Sequence, residues 1–100
     1  MTIEERLAHV ARREETLNRV RQMLVRQLRL RVLDHEIDPD AALFGSGLGL
    51  DSIDAVEIVV SLQAEFGVRL KDTGGHAAPL RTVNTLVDLI LAPREAPHVV

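Results

Sequence analysis

Three alternate glycines, Gly45, Gly47 and Gly49, lead directly into a segment, residues 52–66, with helical periodicity from end to end and a glycine, Gly67, behind it. No feature constrains the fold more. The glycines cannot sustain a helix, whereas the segment after them holds nothing that would interrupt one. Asp51 and Ser52 both suit an N-cap, and Asp54 puts negative charge in the first turn, where the helix dipole favours it. Gly67 suits the position just past the end, because glycine takes the left-handed conformation without a Cβ clash. The expectation is a helix of about four turns with a hydroxyl at its mouth.

That helix carries more apolar surface than one packing face needs. Ala55, Ile58, Val59, Leu62 and Phe66 form the stripe that should turn inward, with Asp54, Glu57, Ser61 and Glu65 opposite and in water. Ile53, Val56 and Val60 make a second stripe, rotated off the first and bordered by Glu57. Either a wide core absorbs both, or the second is left for a partner beside acidic residues. Wheel geometry by itself leans slightly to the core.

The run Leu48-Gly49-Leu50-Asp51-Ser52-Ile53-Asp54-Ala55-Val56-Glu57-Ile58 resembles the Asp-Ser-Leu-type motif of acyl carrier proteins. The likeness extends over roughly residues 20–91. An Asp-Ser pair alone is a common helix cap; the whole run, with a helix on each side, is specific. The resemblance implies that Ser52 takes 4′-phosphopantetheine, whose terminal thiol carries an acyl chain as a thioester. It implies that Asp51 caps the helix beside it, and that Ile53, Asp54, Val56, Glu57 and Val60 meet partner enzymes. Ile58, Val59, Leu62 and Phe66, with aliphatics of the first and last helices, would line a cavity for the chain.

Elementary chemistry agrees with that placement. A phosphodiester on Ser52 would lie at a helix N-terminus, where unpaired N–H groups and the dipole favour an anion. Gly47 and Gly49 leave the approach to the hydroxyl unobstructed. No histidine or lysine is near in sequence to activate the serine, and Gly-x-Ser-x-Gly is absent, so a serine hydrolase is a poor reading. The chain is expected to be no enzyme.

One hundred residues make one small domain with a modest core. Phe44 and Phe66 are its only aromatics, so the core must be aliphatic, and base-stacking platforms for nucleic acid are missing. The absence of cysteine excludes disulfides and thiolate metal sites. No apolar run approaches ~20 residues, and the charged start reads as no secretory signal, so a cytoplasmic protein without a membrane-spanning segment is expected.

Charge is uneven. Residues 1–33 carry a formal +4 and residues 34–100 a formal −7. A basic start could meet nucleic acid or a membrane surface, yet its arginines alternate with Glu4, Glu5, Glu14 and Glu15, which fits a solvated helix face better. Residues 2–33 hold no glycine or proline and read as helix nearly without a break, in which residues 1–18 either lengthen the first helix, fold as a separate turn or fray. Thr2 and Glu5 form a capping box at its start, and Val20, Leu24, Leu28 and Val32 form its inner face. Ile3, Leu7, Val10 and Leu17 continue the spacing upstream. Glu14 and Arg21 interrupt that seam, which counts against a coiled coil with a partner or second copy, so a monomer is expected.

Residues 34–51 read as a long loop anchored by Ile37, Leu43 and Phe44. Its alternating acids fail as a calcium loop, because Pro39 stands where glycine is needed and Gly45 where the closing glutamate belongs. Asp38-Pro39 marks a turn. The glycines are no dinucleotide fingerprint either, since their spacing is wrong and no strand precedes them. After a connector at 71–75, a turn or two of irregular helix is expected around 76–80. Thr82 should cap a last helix, 83–91, whose Val83, Leu86, Val87 and Ile90 face inward. Pro93 and Pro97 mark a loose tail. The four histidines are scattered and form no metal-ligand pattern.

The fold expected is an all-α four-helix bundle of acyl-carrier type, with a long first loop and a short irregular third helix. Its parts are an N-terminal helical extension (1–18), a carrier domain (19–92) and a flexible tail (93–100). The partners implied are a phosphopantetheinyl transferase and acyl-loading, ketosynthase or acyltransferase enzymes. Gln63 and Ala64 are neutral where fatty-acid carriers tend to be acidic, and the start is unusually rich in arginine. Both departures favour a specialised system (polyketide, aryl-polyene or lipid-modifying) over the housekeeping fatty-acid carrier. Leu50 replaces the small residue of peptidyl carriers, which disfavours an aminoacyl cargo. The competing reading is a carrier-like interaction domain that is never modified.

Overall fold

A computed structural model describes residues 2–69 and 80–92. They form three α-helices, α1 (Ile3–Leu28), α2 (Ser52–Phe66) and α3 (Val83–Leu91), and a single 3₁₀ turn at Asp34–Glu36 within the first loop. Among these residues no strand forms; two isolated bridges join Ala42 to Thr82 and Phe44 to Leu50. The all-α architecture expected from the sequence is present. The connector at 71–75, most of the irregular helix at 76–80 and the tail at 93–100 lie outside the described residues.

The core is aliphatic because there is almost nothing else to build it from. Val20, Met23 and Leu24 of α1, Ile58 and Leu62 of α2, and Val83, Leu86 and Val87 of α3 are each no more than 2% exposed. Ile37 and Leu43 join them from the loop, and Phe44 packs at the edge, so all three expected anchors hold. Burying side chains of this kind contributes roughly 1.5–3 kcal/mol each before chain entropy is set against it. Ile90 is only half-buried, at the end of α3.

Helix α1 is a single rod, starting where Thr2 Oγ1 accepts the Glu5 N–H at 3.1 Å. It stops at Leu28 and does not continue to Leu33. Arg29 adopts the left-handed conformation (φ 52°), and the N–H groups of Arg29 and Leu30 both return to the Val25 carbonyl. Leu30 then folds back onto the core, the hydrophobic contact that accompanies such a stop. Val32 is consequently off the helix and partly exposed. At the other end, residues 2–12 are exposed, including Ile3, Leu7 and Val10.

Three arginines of α1, along a helix whose first half is largely solvated, also reach the other helices. Arg26 pairs with Glu65 of α2, Arg19 lies 4.6 Å over the Phe66 ring, and Arg13 Nη1 reaches Asp88 Oδ1 of α3 at 2.6 Å. Exposed pairs such as these add only about 0–1 kcal/mol each. The aliphatic core supplies stability. In helix α2 Ser61, expected in water, is 6% exposed on the same face as Ile58 and Leu62. The buried face is turned by roughly 60° from the expected stripe, on a wheel of 100° per residue. The turn brings Glu65 and Phe66 to the arginines of α1 and carries Ile53, Val56 and Val60 away from the core.

The loop is built on its backbone. Asp38 Oδ1 accepts the Asp40 N–H at 2.9 Å and the Asp38 carbonyl accepts the Ala41 N–H at 3.1 Å, which makes the expected turn around Pro39. Leu43 N–H donates to the Arg81 carbonyl, Asn84 N–H to that of Pro39, Leu48 N–H to that of Ala42 and Leu50 N–H to that of Leu43. Gly47 sits so close to this knot that a Cβ there would stand 1.8 Å from the Ala42 oxygen. Gly49 has φ +71°. Both glycines are therefore required by backbone geometry.

Two reciprocal bonds start α2. Asp51 Oδ1 accepts the Asp54 N–H at 2.9 Å, and Asp54 Oδ2 accepts the Asp51 N–H at 3.0 Å. The Asp54 amide, more than any other group, holds the Asp51 carboxyl below its ordinary pKa. A carboxyl depressed by folding stabilises the native state above its unfolded pKa, and that contribution fades as pH falls through the folded value. Gly67 closes the helix at φ 68°, its N–H shared by the Gln63 and Leu62 carbonyls.

Gly47→Ala should lower the free energy of unfolding by about 1–3 kcal/mol, while Ser46→Ala at its exposed neighbour should stay within about 0.5 kcal/mol. Urea denaturation measures both, and an unchanged Gly47→Ala protein would contradict the packing. The melting-temperature gap between the native protein and Asp51→Asn should be full at pH 6 and narrow below about pH 4. Exposure of Asp51 keeps that gap modest. A gap independent of pH would refute the capping account.

Candidate functional site

The knotted loop, the cap and the exposed start of α2 converge on Ser52. Leu50, 8% exposed, plugs into the core two residues earlier, so the chain arrives at the helix in one direction. Ser52 is the first residue of α2 and is exposed. Its hydroxyl makes no hydrogen bond among the described residues. Among the described residues no base lies against the oxygen to activate it as a nucleophile. Beside it the first-turn amides and the dipole favour an anion, and Asp51 and Asp54 are tied to one another through the cap. The first turn of α2 therefore suits an anion placed on Ser52.

The residues around it separate into three groups. Ile53, Val56 and Val60 are 72%, 62% and 57% exposed, with Glu57 exposed and Asp54 half-buried at their border. The second stripe of α2 is thus outside the core, which overturns the reading that a wide core absorbs it. Ile58 and Leu62 are inside the core, and Val59 and Phe66 are half-buried.

The third group surrounds a cleft of about 480 Å³. Ala42, Phe44, Ala55 and Leu80 give it apolar surface, and Asp40, Arg81 and Thr82 give it polar groups. Ala55 is one turn beyond Ser52 on the same side of α2. Sequence reasoning anticipated Ala55 and Phe44 as packing residues and missed Asp40 and Arg81. Those two are brought together by the Ala42–Thr82 bridge, a pairing across forty residues of chain that leaves no local pattern to read.

Among the described residues no cluster of acids and histidines could hold a metal, and no helix is long and apolar enough to cross a membrane. His9 and His35 are exposed; His76 and His98 lie outside the described residues.

Comparison with known proteins agrees with this geometry. Residues 18–90 match the family described as "Phosphopantetheine attachment site". Acyl carrier protein 3, chloroplastic, of Cuphea lanceolata is 37% identical over 78 residues, covering 78% of this chain and 51% of that protein. The acyl carrier protein of Thermosynechococcus vestitus is 36% identical over 76 residues, covering 76% of this chain and 88% of that protein. The chain thus spans about half the length of the first relative and most of the second. No solved structure matches it significantly. Family match and relatives together leave one assignment: the chain belongs to the acyl carrier proteins, phosphopantetheine-bearing carriers that are not themselves enzymes.

Proposed function

We propose that Ser52 is the residue that takes the 4′-phosphopantetheine arm, and that the loaded chain ferries an acyl or polyketide intermediate as a thioester between enzymes. The observation that carries this reading is the Ser52 hydroxyl, exposed and unbonded at the first position of a capped helix. In the attachment step the Ser52 oxygen attacks the phosphorus of coenzyme A that bears the pantetheine arm and gives up its proton to a base on the transferase. The pyrophosphate P–O bond breaks and adenosine 3′,5′-bisphosphate leaves. The cap holds the hydroxyl in place meanwhile, and the helix N-terminus favours the phosphodiester that results. The carrier domain is residues 19–92, preceded by the extension 1–18 and followed by the tail 93–100.

Ile53, Val56 and Val60, with Asp54 and Glu57 beside them, form the surface offered to a phosphopantetheinyl transferase and to ketosynthase, acyltransferase or acyl-loading enzymes. An apolar stripe supplies docking area and the flanking carboxylates steer encounter. Ile58, Val59, Leu62 and Phe66 line the interior that parts to shelter an acyl tail; an aliphatic core without large rings has little to wedge it shut. The neutral Gln63 and Ala64 and the arginines of α1 point to a specialised partner set.

Intact mass after incubation with a phosphopantetheinyl transferase and coenzyme A tests the reading. The native protein should gain the mass of one arm and Ser52→Ala none. Val56→Glu, at a position exposed enough to leave the fold intact, should be modified at least about tenfold more slowly, equivalent to about 1.4 kcal/mol. Modification of Ser52→Ala would move the site elsewhere. A folded native protein left unmodified would make the chain a carrier-like interaction domain.

A further inference from the structure

We propose that Arg81 makes the cleft beside Ala55 selective for a cargo that carries a carboxylate close to its thioester, over a plain alkyl chain of the same length. The inference rests on attachment of the arm at Ser52. A cleft of about 480 Å³ is within the range that holds small organic groups, roughly 300–1,000 Å³. Its surface is mostly the aliphatic and aromatic carbon of Ala42, Phe44, Ala55 and Leu80, and two charged residues, Asp40 and Arg81, stand in it.

Those two charges have different fates. Asp40 Oδ1 accepts a hydrogen bond from Asn84 Nδ2 at 2.6 Å. The same Asn84 presents its Oδ1 to Arg13 Nη2 at 3.3 Å, and Arg13 Nη1 is bound to Asp88 at 2.6 Å. Asp40 is thus turned toward a relay that runs through α3 to α1. Arg81 is held by its backbone: its carbonyl accepts from Leu43 N–H and its N–H donates to Thr85 Oγ1 at 3.2 Å. Its guanidinium has no hydrogen-bond or ion partner among the described residues.

The outcome is a mostly apolar cleft whose Ala55 wall stands one helical turn from the serine, with a planar cation at Arg81 that is uncommitted among the described residues. An alkyl cargo would use the carbon surface and leave that cation with water only. A cargo ending in a carboxylate would use both, because a guanidinium fork matches two carboxylate oxygens. A fixed backbone beneath Arg81 limits the ordering cost of that pairing.

The test loads the protein with matched four-carbon cargoes, succinyl and butyryl, on an amine-ended arm so that a stable amide replaces the thioester. The Arg81 Nε–H resonance is then followed by ¹H–¹⁵N NMR in the apo, arm-only, butyryl and succinyl forms. Succinyl should shift it at least about twofold more than butyryl does, with accompanying shifts at Phe44 and Ala55. Arg81→Gln should abolish the succinyl-specific shifts at Phe44 and Ala55, and Arg81→Lys should restore them in part. Equal shifts with the two cargoes would overturn the proposal. So would a full shift on attachment of the arm alone, which would make the phosphodiester the ligand of Arg81. Failure to load would strike at Ser52 attachment instead, and intact mass distinguishes the two failures before any spectrum is recorded.

Discussion

The backbone carbonyl of Ala42 is the point on which the active end of the molecule depends. It accepts the Leu48 N–H at 2.9 Å, and Gly47 passes so near that only a hydrogen fits on its α-carbon. The same residue bridges to Thr82, the cap of α3. One peptide therefore ties the glycine turn to the start of α3 and leaves Leu43 and Leu50 pointing into the core. From there the chain can enter α2 in only one way. Ser52 is presented by this knot, with the helix itself supplying the electrostatics.

The energetics divide along similar lines. Stability comes from a small aliphatic core closed by side chains of three helices and the loop. The ion pairs of Arg13 and Arg26 are exposed and worth little singly. Arg26 reaches α2 at Glu65 and Arg13 reaches α3 at Asp88, so each marks a side of a neighbouring helix that faces α1. Without the turn of α2, Val56 and Val60 would lie nearer the core and the molecule would offer a more polar face.

Most of the architecture was legible in the sequence because its signals are local. The limits of α2 follow from Asp51 and Gly67, and those of α3 from Thr82, each a cap whose chemistry acts within one turn. The anchors Ile37 and Leu43 stand out as apolar residues in a polar loop. The end of α1 was not legible: a left-handed arginine carries no signature, and Leu30 stops the helix only because a core is there to receive it. The burial of Ser61 escaped for the same reason, since it depends on how α2 packs against the other helices and not on its own sequence. Gly47 was read as clearance for the serine, whereas its constraint is a carbonyl five residues back. Arg81 and Asp40 could not be placed together without the bridge between distant segments.

What unites these features is an accessible serine at the mouth of a capped helix, with no base against it among the described residues, which we propose carries the arm. Tandem mass spectrometry of peptides from the protein purified from its own cells tests that claim most directly. The account predicts phosphopantetheine on the peptide containing Ser52, localised to that residue and to no other serine. An arm found on Ser46 or Ser61, or a folded protein bare at Ser52 in cells whose transferase is active, would contradict it.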